Sequence, residues 1–266
     1  MSIFSDLTLG QFLPVDSVVH RLDPRTKLCG ALLVMAGLMF ITDARAFLPI
    51  VISLTVIIPF ASLPYHVVLK NIRAFRWLLI ITFSAHALFT PGHDIQLAGL
   101  STEWITYEGV EQGVLFTGRL VIIMTVATML TLTTAPIDVA DGLESLLNPF
   151  RRIGVPAHEL SMMMVIALRF IPTLVEEAER IHKAQLARGA DFSGNPIRRA
   201  RKLTALLIPL MLSAFRRADE LATAMDARCY RGGTGRTRFR ELAFSGRDAL
   251  AGSVLILMIA AGYLFT

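Results

Sequence analysis

The sequence predicts an all-α integral membrane protein with about five transmembrane helices plus long cytoplasmic amphipathic helices. Of its 266 residues, 54% are hydrophobic and the mean hydropathy is +0.58, carried in separate apolar stretches that a soluble core of this size does not need. The charge is unevenly placed, because residues 135 to 247 hold 18 of the 26 Lys and Arg. That basic region also reads as two long helical stretches, each ending in Ala-Arg followed by a small residue, "AQLARGADF" at 184–192 and "AMDARCYRG" at 224–232.

Apolar windows place spans near 27–41, 46–63, 75–89, 113–134 and 249–265. Several are shorter than the roughly 20 residues that cross a bilayer core, so their ends are approximate. Lys and Arg collect in loops that stay cytoplasmic. Arg21, Arg25 and Lys27 precede the first span, and Lys70, Arg73 and Arg76 precede the third. Residues 90–112 carry Asp94, Glu103, Glu108 and Glu111 without any Lys or Arg, and so face out. Alternation then puts the N-terminus in the cytoplasm and the C-terminus outside. Residues 1–134 are a membrane part with four spans, 135–247 a cytoplasmic domain, and 248–266 a C-terminal transmembrane helix. The first 28 residues have early acids and no apolar core, unlike a cleavable signal peptide.

A net charge of +5 and a pI near 9.6 would suit nucleic acid or anionic lipid. The placement of the charge beside the spans assigns it to a bilayer, and no nucleic acid partner is expected. Cys29 and Cys229 have no CxxC spacing and no nearby His pair, so neither a metal site nor a disulfide framework follows.

In the cytoplasmic domain, "VPAHELSMMMVIALRFIPTLVEEAERIHKAQLARG" reads as one helix from Pro156 to a C-terminal stop at Gly189. Its first half is apolar and its second half charged. Pro172 removes a backbone donor inside it and predicts a bend. A second helix runs from about Pro196 to Arg228 with Pro209 inside. At an offset of forty, Ala178, Glu179, Ile181, Ala184, Ala187 and Arg188 match Ala218, Asp219, Leu221, Ala224, Ala227 and Arg228. Alanine matches cheaply by chance, but the identical spacing to the terminal Ala-Arg strengthens the repeat. Alanines near helical spacing allow close helix crossing.

No catalytic or metal-binding motif is complete. "RGGTGRTRFR" lacks the order of a phosphate-binding loop and reads as a solvated turn. "HELSM" at 158–162 puts Met162 where a zinc motif needs its second histidine, which leaves Glu159 as a first-turn acid favoured by the helix dipole. Ser, His and Asp residues show no nucleophile arrangement. Two arginines sit in or beside apolar segments, where an unpaired charge is costly. Arg119 reads as snorkelling towards the outer surface; Arg169 either pairs with an acid such as Glu176 or faces water or substrate.

The Ala-Arg-small ends admit two readings. Arginine in a last helical turn complements the negative dipole end, and glycine just beyond it allows a left-handed cap. Alternatively, an arginine at a helix tip enters an acidic groove on another protein, with small neighbours letting the tip insert. Two such ends on amphipathic helices favour paired docking points.

On "GQFLPVDSVVHRLDPRTKL", "LNPFRRIGVPAHELSMMMVIALRFIPTLVEEAERIHKAQLARGADF" and "LIPLMLSAFRRADELATAMDARCYRGG", nearly the whole chain resembles the transmembrane T component of energy-coupling factor transporters, the first segment being most like the shared-scaffold branch. The resemblance implies a non-catalytic scaffold that joins two cytosolic ATP-binding-cassette ATPases to a separate substrate-binding membrane subunit for a vitamin or metal ion. It makes the two long helices coupling helices. Ala187, Arg188 and Gly189, with Ala227, Arg228 and Cys229, become the ATPase-docking residues. Pro172 and Pro209 become the kinks of the levers. Cys229 departs from the pattern, which has glycine there. The ATPases, an unlike pair or a homodimer, would bind ATP and Mg, and this chain no cofactor. The setting would be a bacterial or archaeal cell membrane. A membrane enzyme acting on lipid phosphate, with "DARCYRGG" in a basic pocket, is the competing reading. It lacks the companion aspartates that a metal there would need.

Overall fold

The computed structural model describes residues 12–97, 100–190, 196–232 and 243–264. They are helical but for one hairpin and fall into two compact units, one holding residues up to 143 together with those from 243 onward, the other residues 144 to 232.

In the first unit, α1 (Pro24–Met39), α2 (Phe47–Phe60), α5 (Tyr107–Thr133) and α9 (Gly246–Tyr263) share one core. The periodicity is visible in what is buried: Ala31, Val34 and Leu38 on α1, Phe47, Ile50, Leu54 and Ile58 on α2, and Ile122, Val126, Met129 and Leu132 on α5. Each set recurs every three or four residues, one face of a helix. Lipid is as apolar as leucine, so close packing rather than water exclusion holds these faces together. Gly30 and Gly37, two turns apart on α1, bring α9 near: a Cβ on Gly30 would lie 2.6 Å from Leu255 Cδ1. Thr125 and Thr133 are buried, and their hydroxyls donate to Val121 O and Met129 O within the same helix, which satisfies them without water.

The helix ends of this unit are tied by charge. Asp23 caps α1 by accepting from Arg25 N at 2.9 Å, and its own N–H donates to buried Asp248 Oδ1 at 2.8 Å. Asp248 Oδ2 accepts from Ser245 N and Ser245 Oγ, both at 2.8 Å, completing a capping box at the start of α9. Lys27 Nζ donates to His20 O and to Thr133 O, the last residue of α5.

The spans correspond to helices with shifted ends. α5 and α9 are each long and apolar enough to cross a membrane, whereas α2 is short. The third span corresponds to α4 (Arg76–Phe89), which is joined to α3 (Tyr65–Ala74) through a bend of 57° at Phe75. The basic residues Lys70 and Arg73, read as loop in the sequence, therefore lie on an amphipathic helix. The acidic loop contains an antiparallel pair, β1 (Asp94–Leu97) and β2 (Leu100–Thr106), that leads directly into α5.

Arg119 has a partner in the chain that its apolar surroundings did not reveal. Its Nη2 donates to Ile41 O at 2.9 Å, just beyond the end of α1, and its guanidinium lies 5.1 Å from the Phe116 ring centre. This backbone carbonyl gives the half-buried guanidinium a partner within the protein.

The second unit contains a 3-10 turn at Asn148–Ile153, then α7 (Ala157–Ala187) and α8 (Pro196–Ala227); α6 (Pro136–Leu147) leads into it from the first. α7 and α8 run through Pro172 and Pro209, each of which leaves a carbonyl one turn back without its helical donor. α7 also qualifies by length and composition to cross a membrane, but only 6% of its apolar window is buried, against 39% for α5. Its apolar face is thus largely unpartnered within the chain.

Candidate functional site

The two Ala-Arg ends fold identically. α7 stops at Ala187; Gly189 takes φ 83°, Gly189 N donates to Leu186 O at 3.0 Å and Ala190 N to Gln185 O at 2.9 Å. α8 stops at Ala227; Cys229 takes φ 57°, Cys229 N donates to Asp226 O at 2.9 Å and Tyr230 N to Met225 O at 3.1 Å. Both are complete Schellman motifs, with a left-handed residue after the cap and the paired reverse hydrogen bonds. The second builds this turn with a cysteine, whose Cβ crowds the backbone in that region. Cys229→Gly is therefore expected to stabilise the chain by about 1 kcal/mol. Thermal unfolding of the detergent-solubilised protein checks this, and an unchanged or lower midpoint would count against the strain.

At both ends the arginine occupies the cap position and is exposed. Among the described residues neither Arg188 nor Arg228 forms an ion pair. Ala187, Gly189, Ala227 and Cys229 are exposed beside them, so each guanidinium stands on a narrow, capped tip. Several other charges of these helices are paired: Glu177 lies 3.7 Å from Arg180 and 3.5 Å from Arg217, and Glu179 lies 3.6 Å from Lys183. Such surface pairs contribute little to stability.

The Glu177–Arg217 pair joins positions forty residues apart, so repeat-equivalent sites of the two helices meet. Beside it the N-terminal half of α7 packs on the C-terminal half of α8. Ile166, Phe170 and Leu174 face Ala214, Ala218 and Ala222 across an apolar groove of about 270 Å³. The alanines, four residues apart on one face, admit the larger side chains opposite.

The structure adds detail to two sequence readings here. Arg169 is exposed and makes no ion pair with Glu176 among the described residues; the acid that binds arginine is Glu177. "HELSM" belongs to a hydrogen-bond chain. His158 Nδ1 lies 3.0 Å from Glu144 Oε1, His158 Nε2 lies 3.4 Å from Tyr230 Oη, and Tyr230 Oη donates to Met162 Sδ at 2.9 Å. Glu159 is the first-turn acid of α7. Of the glycine-rich turn, Gly232 has φ 81°, while Gly233 and Gly235 lie outside the described residues.

Comparison with known proteins agrees with this architecture. The family model described as cobalt transport protein, CbiQ, matches residues 16–239. The energy-coupling factor transporter transmembrane protein EcfT of Heliobacterium modesticaldum is 50% identical over 251 residues, 92% of each chain. Its namesake in Acidaminococcus fermentans is 48% identical over 96% of this chain and 95% of its own. That of Bacillus subtilis is 39% identical over 99% of this chain and 98% of its own. With similarity of that extent, the chain belongs to the CbiQ family, as a transmembrane component of the energy-coupling factor type.

Proposed function

We propose that this chain is the scaffold of an ATP-driven importer, coupling ATP hydrolysis by two cytosolic ATP-binding-cassette subunits to uptake of a vitamin or metal ion by a separate substrate-binding membrane subunit. The observation that carries this reading is the pair of matching capped helix ends, each presenting an exposed, unengaged arginine. Arginine offers a planar fork of donors suited to carboxylates in a partner's groove. Arg188 and Arg228 supply those donors, and Ala187, Gly189, Ala227 and Cys229 keep the tips slim enough to insert. The ATPases, an unlike pair or two copies of one chain, hold ATP and Mg; this chain is non-catalytic.

The apolar faces of the same helices support the membrane partner. Met163 on α7 and Ile208, Leu212 and Phe215 on α8 are each more than half exposed. A contiguous apolar face of this kind marks a protein or membrane contact. Pro172 and Pro209 let the helices flex between tip and apolar face. In this reading α7 and α8 lie on the cytoplasmic side, with the N-terminus inside and the C-terminus outside.

Affinity purification of the chain from its native membrane, followed by mass spectrometry, tests the proposal. Two ATP-binding-cassette subunits and a small membrane protein are expected with it. Recovery of the chain alone from membranes that contain such ATPases would refute the scaffold role.

A further inference from the structure

The two capped ends are alike in backbone but not in anchorage. At the second, Tyr230 directly follows the left-handed residue and its hydroxyl reaches back to His158 and Met162 in the first two turns of α7. His158 in turn contacts Glu144 near the end of α6 at 3.0 Å, with only 21% and 13% of the two side chains exposed. Nδ1 of His158 faces the Glu144 carboxylate and Nε2 faces the tyrosine oxygen, whose single proton points to Met162 Sδ. Among the described residues the first end has no equivalent. Offset by forty, the position of Tyr230 is taken by Ala190, whose methyl group can make no hydrogen bond. The first tip also lies at the far end of a 31-residue helix, on the order of 45 Å along its axis from the His158 turn.

We infer that Tyr230 is a latch that fastens the second arginine end to the start of α7 and the end of α6, making the two tips mechanically unequal. This rests on the docking role proposed for Arg228. A displacement imposed on Arg228 passes through Tyr230 and His158 directly into the apolar N-terminal half of α7. A displacement imposed on Arg188 reaches that half along α7 itself and through its packing on α8 at the Glu177–Arg217 crossing and the apolar groove beside it. Tyr230 is a positioning residue in this scheme: it holds the tip and leaves the partner contact to Arg228.

The test uses the full chain purified with whatever subunits accompany it, with Cys29→Ser, Cys229→Gly, Glu159→Cys and Arg231→Cys introduced so that nitroxide labels sit on the exposed positions 159 and 231 and leave the docking residues unlabelled. Pulsed electron paramagnetic resonance then measures the separation of the second tip from the start of α7. With Tyr230 present, one narrow distance is expected, and it stays in place when ATP and vanadate are added. Tyr230→Phe keeps the ring and loses the hydroxyl. Its distance distribution should broaden, with the latched population reduced about fivefold, the effect of one hydrogen bond of ordinary net strength, and should shift when nucleotide is added. His158→Gln, which disturbs the same chain from its other side, should broaden the distribution in the same way. A Tyr230→Phe distribution as narrow and as stationary as wild type overturns the latch. The docking proposal fails separately: if no ATPase accompanies the wild-type chain that proposal falls, and the nucleotide-free distances still decide whether the latch exists.

Discussion

Replacing Arg188 and Arg228 together with alanine is expected to remove the proposed ATPases from the purified complex while the chain still inserts in the membrane. An arginine seated in a partner's groove belongs to the small set of interface residues whose truncation costs about 2 kcal/mol or more, roughly thirtyfold in affinity for each tip. Were these arginines only complements to the helix dipole, their loss would cost a few tenths to about 1 kcal/mol of helix stability and leave the partners bound. Each single variant accordingly loses more transport than expression. Quantitative mass spectrometry of the copurified ATPases, normalised to this chain, gives the comparison, and equal losses of transport and expression in the single variants would favour the cap-only reading.

A second large effect is expected far from the tips. Asp248→Ala leaves Asp23 N and Ser245 N without their acceptor, in a place where Asp248 is only 5% exposed. Buried polar groups stripped of a charged acceptor cost about 1–3 kcal/mol each, so a loss of roughly 2–4 kcal/mol is expected. The joint between the start of α9 and the start of α1 then loosens. Thermal unfolding in detergent should show a markedly lower midpoint for Asp248→Ala, and Asp248→Asn, which keeps one acceptor oxygen, should recover part of it. A midpoint within experimental scatter of wild type would mean that the buried carboxylate holds nothing together.

What was legible in the sequence was local. Gly189 and the forty-residue repeat marked where α7 and α8 end, because a left-handed cap is decided by a few adjacent residues. The repeat also carried Cys229 into the same turn, although cysteine alone gives no such signal. What stayed hidden depended on partners distant in the chain. Arg119 finds its carbonyl 78 residues away, Asp23 meets Asp248 across 225 residues, and Tyr230 meets His158 across 72. No periodicity encodes such pairs. The bent α3–α4 pair was partly hidden for another reason: Lys70 and Arg73 resemble a cytoplasmic loop in a hydropathy profile, whereas on a helix they form the polar side of an amphipathic segment.

The unequal anchoring of the tips adds to the docking account. Two identical plugs would drive a scaffold symmetrically. In the proposed scheme a latch on one of them directs the same input at the start of α7, in a helix whose apolar window is only 6% buried.

The docking account is tested most directly by placing a photo-crosslinking amino acid at Ala187 or Ala227 in the chain within its native membrane, with Arg45 as the control position. The expected result is an adduct from each tip whose mass equals this chain plus an ATP-binding-cassette subunit, and none from residue 45. Tips that yield only lipid or other membrane-protein adducts, in membranes where the ATPases are present, would contradict it.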